Sequence, residues 1–394
     1  MSIPVYRLYN ERNNPYKLEL RAGRNGLYKE VAWVHIMEDT DYASFLSKNE
    51  LIFTTGMGKG DNAHWLREFI AALIDIGSTG VVLNIGKYIT EEDIDEDVTA
   101  LCNEHRFPLF TMPWNIRLSD ITQDFLYSIF LTKQKEYEIV SACKQIFFKQ
   151  HPLEAINRLK LHGFTERGKY QVMALHFPGV QSADQLETLL TSYKFILNEQ
   201  GAKYIAFPLK KVIVLMIKVD GTQEAAQIMQ DLYIQLHERE AVKPVIGSSM
   251  AVSSLAELAV AYEQAVCAVT WACVHRSSCQ YFGALGVYAL LFSQRNDLAM
   301  RELHDKALGP VLQYDAVHKR DLFHTLESYI AHNGSIQAVA QETYAHRNTV
   351  AYRIQKIETL LQCDLNAEDT RFTYYLACHI HHYFQIMKDR YDIL

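Results

Sequence analysis

Long apolar runs, paired cysteines and an excess of positive charge are all missing from this 394-residue chain. No stretch approaches the ~20 apolar residues that a bilayer crossing needs, and Met1 to Asn10 hold neither a basic nor an apolar segment. Neither secretion nor a membrane partner is therefore expected. The 39 Lys and Arg stand against 46 Asp and Glu, a net charge of −7, so a nucleic-acid role would need a local basic face. The seven cysteines (Cys102, Cys143, Cys267, Cys273, Cys279, Cys363, Cys378) are odd in number and include no Cys-x-x-Cys pair. That usage suits a reducing cytoplasm. Cys378, His379, His381 and His382 crowd together, with Cys378 and His382 on one helical face, but two ligands do not make a zinc site; no metal and no cofactor is expected. With 18 Gly, 9 Pro and 49% apolar residues the chain is neither fibrous nor disordered, and its length suits two or three folded domains at roughly 100–200 residues each.

The first third alternates short apolar runs (Leu51 to Thr55, Gly80 to Asn84, Pro108 to Met112) with helical patterns (His64 to Ile76, Glu91 to His105). Strands separated by helices of this length predict crossovers in a parallel sheet, with ligands beyond the C-terminal strand ends. Gly56-Met57-Gly58-Lys59-Gly60 lacks the spacing of a phosphate loop and reads as a turn. Asn115 to Gln150 holds no Gly and no Pro, and Leu118, Ile121, Phe125, Ile129 and Thr132 recur at helical spacing, predicting a long connecting helix. That helix either packs on one domain or serves as a dimerising or signal-carrying rod. The middle segment predicts strands at Tyr170 to His176 and Val245 to Ser248, a hairpin of Tyr204 to Phe207 with Val212 to Ile217, and a capping box at Ser254 to Glu257.

Beyond about residue 285 helical patterns take over. Leu322, Leu326, Tyr329 and Ile330 form one stripe that ends at Asn333-Gly334; Ser335 caps a short helix with Ile336, Val339, Ala340 and Thr343 inward; a tight turn follows at Tyr344-Ala345. In the next helix, His346 to Leu361, Val350, Ile354, Ile357 and Leu361 share one face, and Asn348, Tyr352 and Gln355 point away, flanked by Arg347, Thr349, Arg353 and Lys356. Two short helices joined by a tight turn, the second presenting amide, hydroxyl and guanidinium groups near its start, are what reading a major groove requires. Arg bonds guanine bidentately, Asn bonds adenine, and Thr, Tyr and Lys hold phosphates. Glu342 and Glu358 flank the unit and would weaken phosphate binding.

The run Gly334 to Ala340 followed by His346 to Glu358, with His-Arg-Asn-Thr at its centre, resembles the Fis-type helix-turn-helix that closes PucR-family transcriptional regulators. Trp33-Val34-His35, Leu51 to Met57 and Pro108 to Phe110 resemble that family's N-terminal sensor, and Leu285 to Leu291 and Leu308 to Leu312 its hinge into the DNA-binding part. The resemblance implies a cytoplasmic, metabolite-responsive regulator, commonly an activator of purine, amino-acid or related nitrogen-compound catabolic genes, with a middle domain similar in fold to diguanylate cyclases. Catalysis is not expected there: the hairpin turn is Pro208-Leu209-Lys210-Lys211, without Gly-Gly or paired carboxylates to hold metal ions.

The expected fold class is α/β plus all-α: an α/β sensor with parallel strands at 1–130, a linker helix and degenerate cyclase-like α/β domain at 131–284, and a helical DNA-binding domain at 285–394 with its helix-turn-helix at about 321–361. The expected DNA-binding residues are His346, Arg347, Asn348, Thr349, Tyr352, Arg353 and Lys356; the expected effector residues are Trp33, His35, Glu38, Thr54, Thr55, Asn84 and Trp114; no catalytic residue is expected. Partners are double-stranded DNA, a small-molecule effector and a second copy in a homodimer or higher homo-oligomer, with RNA polymerase as an open further partner. Two alternatives stand beside this reading: a nucleotide-binding or nucleotide-processing enzyme, and a ligand-binding scaffold acting on a protein partner through His346 to Leu361.

Overall fold

The apolar runs of the first third form a five-stranded sheet in the computed structural model, which describes residues 3–9, 14–40, 46–180, 182–199, 204–219, 233–234, 243–294 and 297–393. Strands β1 (Glu19–Ala22), β2 (Trp33–Ile36), β3 (Glu50–Thr54), β4 (Gly80–Ile85) and β5 (Leu109–Pro113) stand in the order β1-β5-β4-β3-β2. β2 to β5 run parallel, as the crossover lengths predict, while β1 pairs antiparallel with β5 at the edge. Helix α1 (Trp65–Ile76) ends at Gly77, and α2 (Glu96–Glu104) starts where the Asp95 carboxylate accepts from the Val98 N–H at 2.8 Å. The helix expected over Glu91 to His105 is therefore shorter. Residues Glu91–Asp93 form a separate turn closed by a Thr90/Asp93 capping box.

Because alternate strand residues face opposite sides, Ile52 and Leu83 meet Phe69 and Leu73 of α1, whereas Leu51, Phe53 and Phe110 meet a second helix. That helix is α3 (Leu118–Phe147), 30 residues long. Ile121, Phe125 and Ile129 of its first half are buried on the first sheet; Ile139, Ala142, Cys143, Ile146 and Phe147 of its second half are buried in the core of the next domain. One rod thus belongs to two cores. Its burial face is shared rather than confined to one domain, and the boundary expected at 130/131 falls inside it.

The middle sheet runs β11 (Cys279–Tyr281), β9 (Val245–Ser248), β6 (Arg167–His176), β8 (Val212–Lys218), β7 (Tyr204–Leu209), with β10 (Val252–Ser254) also pairing β6. β7 and β8 form the expected hairpin, in which Leu209 pairs with Val212 across Lys210-Lys211. The end of α3, α4 (Pro152–Leu161) and α6 (Leu258–Val274) cover one face, and α5 (Ala183–Glu199) the other. At the start of α6 the Ser254/Glu257 capping box is present as read.

The remainder is helical: α7 (Val287–Ser293), α8 (Leu298–His318), α9 (Leu322–Ala331), α10 (Ile336–Glu342), α11 (Arg347–Leu361) and α12 (Glu368–Ile393). α12 packs on α8 and α9 and also reaches α6 of the middle domain. Each member of the Cys378 to His382 cluster meets something different. Cys378 is buried in the helical core, His379 contacts the Tyr288 hydroxyl at 2.9 Å, His381 contacts His304 at 2.9 Å, and His382 bonds the Glu327 carboxylate. Among the described residues no helix is long and apolar enough to cross a membrane.

Candidate nucleic-acid interface

The geometry of the C-terminal unit starts with its turns. Asn333 and Gly334 both take positive φ (52° and 84°), and the Gly334 N–H reaches back to the Tyr329 carbonyl at 2.8 Å, stopping α9. Ser335 caps α10, its side chain accepting from the Ala338 N–H at 3.3 Å. Tyr344 then takes φ 49°, a conformation costly for a residue with a Cβ, and the Ala345 N–H closes onto Ala340 O at 3.0 Å. His346 caps α11: its Nδ1 accepts from the Asn348 N–H at 3.3 Å, leaving the rest of the ring exposed.

Val350, Ile354 and Ile357 of α11 are buried with Val339, Leu326, Tyr329 and Ile330, so the inward stripes expected of all three helices close one core. Opposite them, Arg347, Asn348, Thr349, Tyr352 and Gln355 are exposed, Tyr352 at 69%. Arg353 and Lys356 turn inward instead. Arg353 Nη1 donates to Thr325 Oγ1 at 3.4 Å, and the Lys356 ammonium lies 5.0 Å from the Tyr314 ring centroid. Of the seven expected DNA contacts, five stand at the outer surface and two are half-buried against α9 and α8.

The flanking acids are also occupied. Ser328 Oγ donates to Glu342, and Glu358 Oε1 accepts from the Leu365 N–H at 3.1 Å, which holds the turn leaving α11. Tyr344, 98% exposed in the inter-helix turn, was not among the expected contacts. Its signal was positional: a helix-helix turn is where glycine is usual, and a tyrosine there has no packing reason.

The seven expected effector residues do not gather into one pocket. Trp33 opens β2 opposite Glu50, at the far end of the sheet from Thr54, and His35 Nδ1 lies 3.8 Å from Glu50 Oε2. Glu38 accepts from Thr54 Oγ1 (2.9 Å), Thr55 Oγ1 (2.8 Å) and the Thr55 and Met57 N–H groups (2.9 and 3.1 Å), so this carboxylate ties down the turn after β3. Lys59 in that turn ion-pairs with Asp93, in keeping with a turn rather than a phosphate loop. Asn84 Nδ2 donates to Pro113 O at 3.0 Å, fixing the exit of β5. Trp114 packs edge-on to Tyr88, 5.7 Å between centroids. It lines a groove of about 600 Å³ with Arg21, Glu91 and Thr111, none of which was expected.

Comparison with known proteins gives three matches along the chain. Residues 11–129 match the Purine catabolism regulatory protein-like family, 149–270 a GGDEF-like domain, and 322–380 the PucR C-terminal helix-turn-helix domain. Among curated relatives, the Purine catabolism regulatory protein of Bacillus subtilis is 34% identical over 30% of this chain and 22% of its own length. The Proline-responsive transcriptional activator PutR of the same organism is 23% identical over 66% of this chain and 68% of its own. The DNA-binding transcriptional activator AdeR, also from B. subtilis, is 23% identical over 47% and 48%. The chain thus spans between about a fifth and two thirds of the length of these relatives. The helix-turn-helix match begins at the first residue of α9 and ends inside α12, so it encloses the exposed face of α11.

Proposed function

This chain belongs to the PucR family of transcriptional regulators by its three matched domains, and from that premise we propose that it is a cytoplasmic, metabolite-responsive regulator that binds double-stranded DNA as a homodimer and activates nitrogen-compound catabolic genes, of purines or amino acids. The observation that carries the reading is the first turn of α11: Arg347, Asn348 and Thr349 stand exposed on a helix held by an apolar core, with Tyr352 one turn on. A rigid helix presenting guanidinium and amide groups at its start reads base edges, and the hydroxyls hold phosphates. Two of the relatives, a purine catabolism regulator and a proline-responsive activator, support the metabolite classes.

A two-fold dimer would place two copies of α11 in successive major grooves, about 34 Å or a multiple apart. The outer side of α3 supports such pairing. Tyr127, Phe130 and Tyr137 are 62%, 62% and 67% exposed there, with Leu131 beside them, on the face opposite Phe125 and Ile129. An effector shifts DNA affinity only by binding one arrangement of the dimer better than the other. The middle domain serves as a spacer rather than a cyclase, its hairpin turn being Lys210-Lys211. Contact with RNA polymerase completes activation in this scheme.

The test is fluorescence anisotropy of the full chain on DNA fragments from upstream of its own gene and its neighbours, at two salt concentrations, beside Arg347→Ala with Asn348→Ala. Fragment-selective binding that weakens with salt and disappears in the double variant is expected. Equal binding of all fragments by both proteins would remove the assignment of readout to α11.

A further inference from the structure

A cavity of about 520 Å³ lies where three parts of the chain meet: the N-terminal segment around Pro4 to Arg7, the centre of α3, and the α5/β7 edge of the middle domain. Its walls are apolar at Ile139, Leu190 and Phe207, and its charges balance: Arg7, Lys135 and Lys194 face Glu30, Glu136 and Glu187. At its inner side Lys194 is only 8% exposed, with Nζ 3.5 Å from Glu136 Oε2. A charge-assisted hydrogen bond usually closes to about 2.7–2.9 Å, so this pair of a buried ammonium and a half-buried carboxylate is loose. Burial also pushes the Glu136 carboxyl above its usual range, against the pull of Lys194. Holding the Lys194 ammonium out of water at such a separation from its carboxylate leaves its desolvation only partly offset. Arg7 and Lys135 are exposed at the mouth, and among the described residues neither ion-pairs with a carboxylate.

We propose that this junction cavity is a ligand site for a small zwitterion, whose carboxylate is held by Lys194 with Arg7 or Lys135 and whose ammonium is held by Glu136, the remainder lying on Ile139, Leu190 and Phe207. A phosphorylated nucleotide fits worse, because three carboxylates offset the three cations and leave no net positive charge to hold a polyanion. The volume lies within the range of small-molecule sites, roughly 300–1,000 Å³. The ligand would complete both halves of the loose pair. In doing so it would join the N-terminal segment, α3 and the middle domain, and since α3 is packed into both cores, clamping its centre fixes how the two domains sit. Binding rests on the cavity alone; its effect on DNA rests on the regulator reading.

The test uses the full chain in calorimetry and thermal melts, with the twenty free L-amino acids as probes and the corresponding deaminated acids and decarboxylated amines as controls. At least one amino acid is expected to bind and raise the melting temperature, with its two controls at least tenfold weaker. Lys194→Met and Glu136→Gln should each lose tenfold or more. Arg7→Gln with Lys135→Gln, at exposed positions that do not hold the fold, should weaken binding severalfold and decides the matter if Lys194→Met does not fold. No binding by any amino acid, equal binding of the controls, or wild-type binding by the rim double variant would overturn the site. DNA anisotropy on the same samples separates the two readings: amino-acid binding without DNA binding removes the regulator and leaves the cavity.

Discussion

The Arg353 guanidinium donates to the Thr325 hydroxyl, which is 1% exposed and itself bonded to Asp321 O at 3.1 Å. A residue of the type that reads guanine thus fastens α11 to α9, while Arg347, six positions earlier on the same helix, reaches solvent. Two guanidinium groups on one helix face a neighbouring helix and solvent respectively, separated by about 120° of helix rotation.

Arg353→Ala should lower the unfolding free energy by about 1 kcal/mol, the net worth of a hydrogen bond plus some lost packing. Arg347→Ala should change it by less than about 0.5 kcal/mol, as exposed substitutions do, yet weaken selective DNA binding by about 1–3 kcal/mol. Urea unfolding and anisotropy on the two variants check this; the reverse ranking in either assay would show that Arg353 is the reader.

Replacing Phe130 and Tyr137 by Asp should leave the melting temperature of the protomer nearly unchanged, because both side chains are mostly exposed. The same change should move a dimer toward monomer in sedimentation and weaken binding to a two-half-site operator far more than to a single half-site. A variant that stays dimeric would shift the contact to another surface.

Gly247 on β9 lies where α6 comes closest to the sheet: a Cβ there would stand 2.1 Å from Val269 N and 2.4 Å from Ala265 O. Both are main-chain atoms, so the helix must lift. Gly247→Ala should cost about 1–3 kcal/mol of stability, measured by denaturant midpoint. A loss below about 0.5 kcal/mol would mean the two layers are less closely packed than found.

Acidification should act on α12 through opposing histidines. The hydrogen bond to Glu327 raises the pKa of His382, so its stabilising share is complete below about 6.5 and fades as pH rises through the folded value. Glu327, held low chiefly by His382, keeps its share until pH falls below the usual carboxylate range. Burial lowers His379 and His381, with repulsion from His382 at His379 and from His304, His382 and Lys388 at His381, so both destabilise as pH drops below about 6.5. His382→Gln removes the Glu327 hydrogen bond, the largest effect on His382, and relieves only part of the penalty at His379 and His381, where burial is the larger cause. Its melting temperature should fall more between pH 8 and 6 than that of wild type; parallel curves would show that the Glu327 pair carries no pH-dependent stability.

Much of the architecture was legible from periodicity. The runs at 51–55, 80–84 and 108–112 became parallel strands within a residue or two, and the hairpin and the three C-terminal stripes lie where the spacing placed them. β1 escaped because Glu-Leu-Arg-Ala at the sheet edge has one buried residue and no apolar run. The helix over Glu91 to His105 was overextended because the local caps at Thr90 and Asp95, rather than periodicity, decide where it starts. The effector residues were chosen by nearness to strand ends in sequence, and Trp33 shows the weakness of that rule: it begins its strand, so it sits at the wrong end of the sheet.

By itself the sequence determined what depends on neighbours a few residues apart: which segments bury a face, where helices stop, and which turn of α11 exposes Arg347, Asn348 and Thr349. Those follow from helix and strand repeats and from capping, all local. Tertiary structure alone decided the rest. Arg353 and Lys356 stand at the border of the buried stripe, where the neighbouring helix sets the direction of a long side chain, and Thr325 and Tyr314 drew them inward. Likewise Arg7, Glu136 and Lys194 line one cavity only because α3 threads two cores, and no spacing within a single element brings together residues that far apart in the chain.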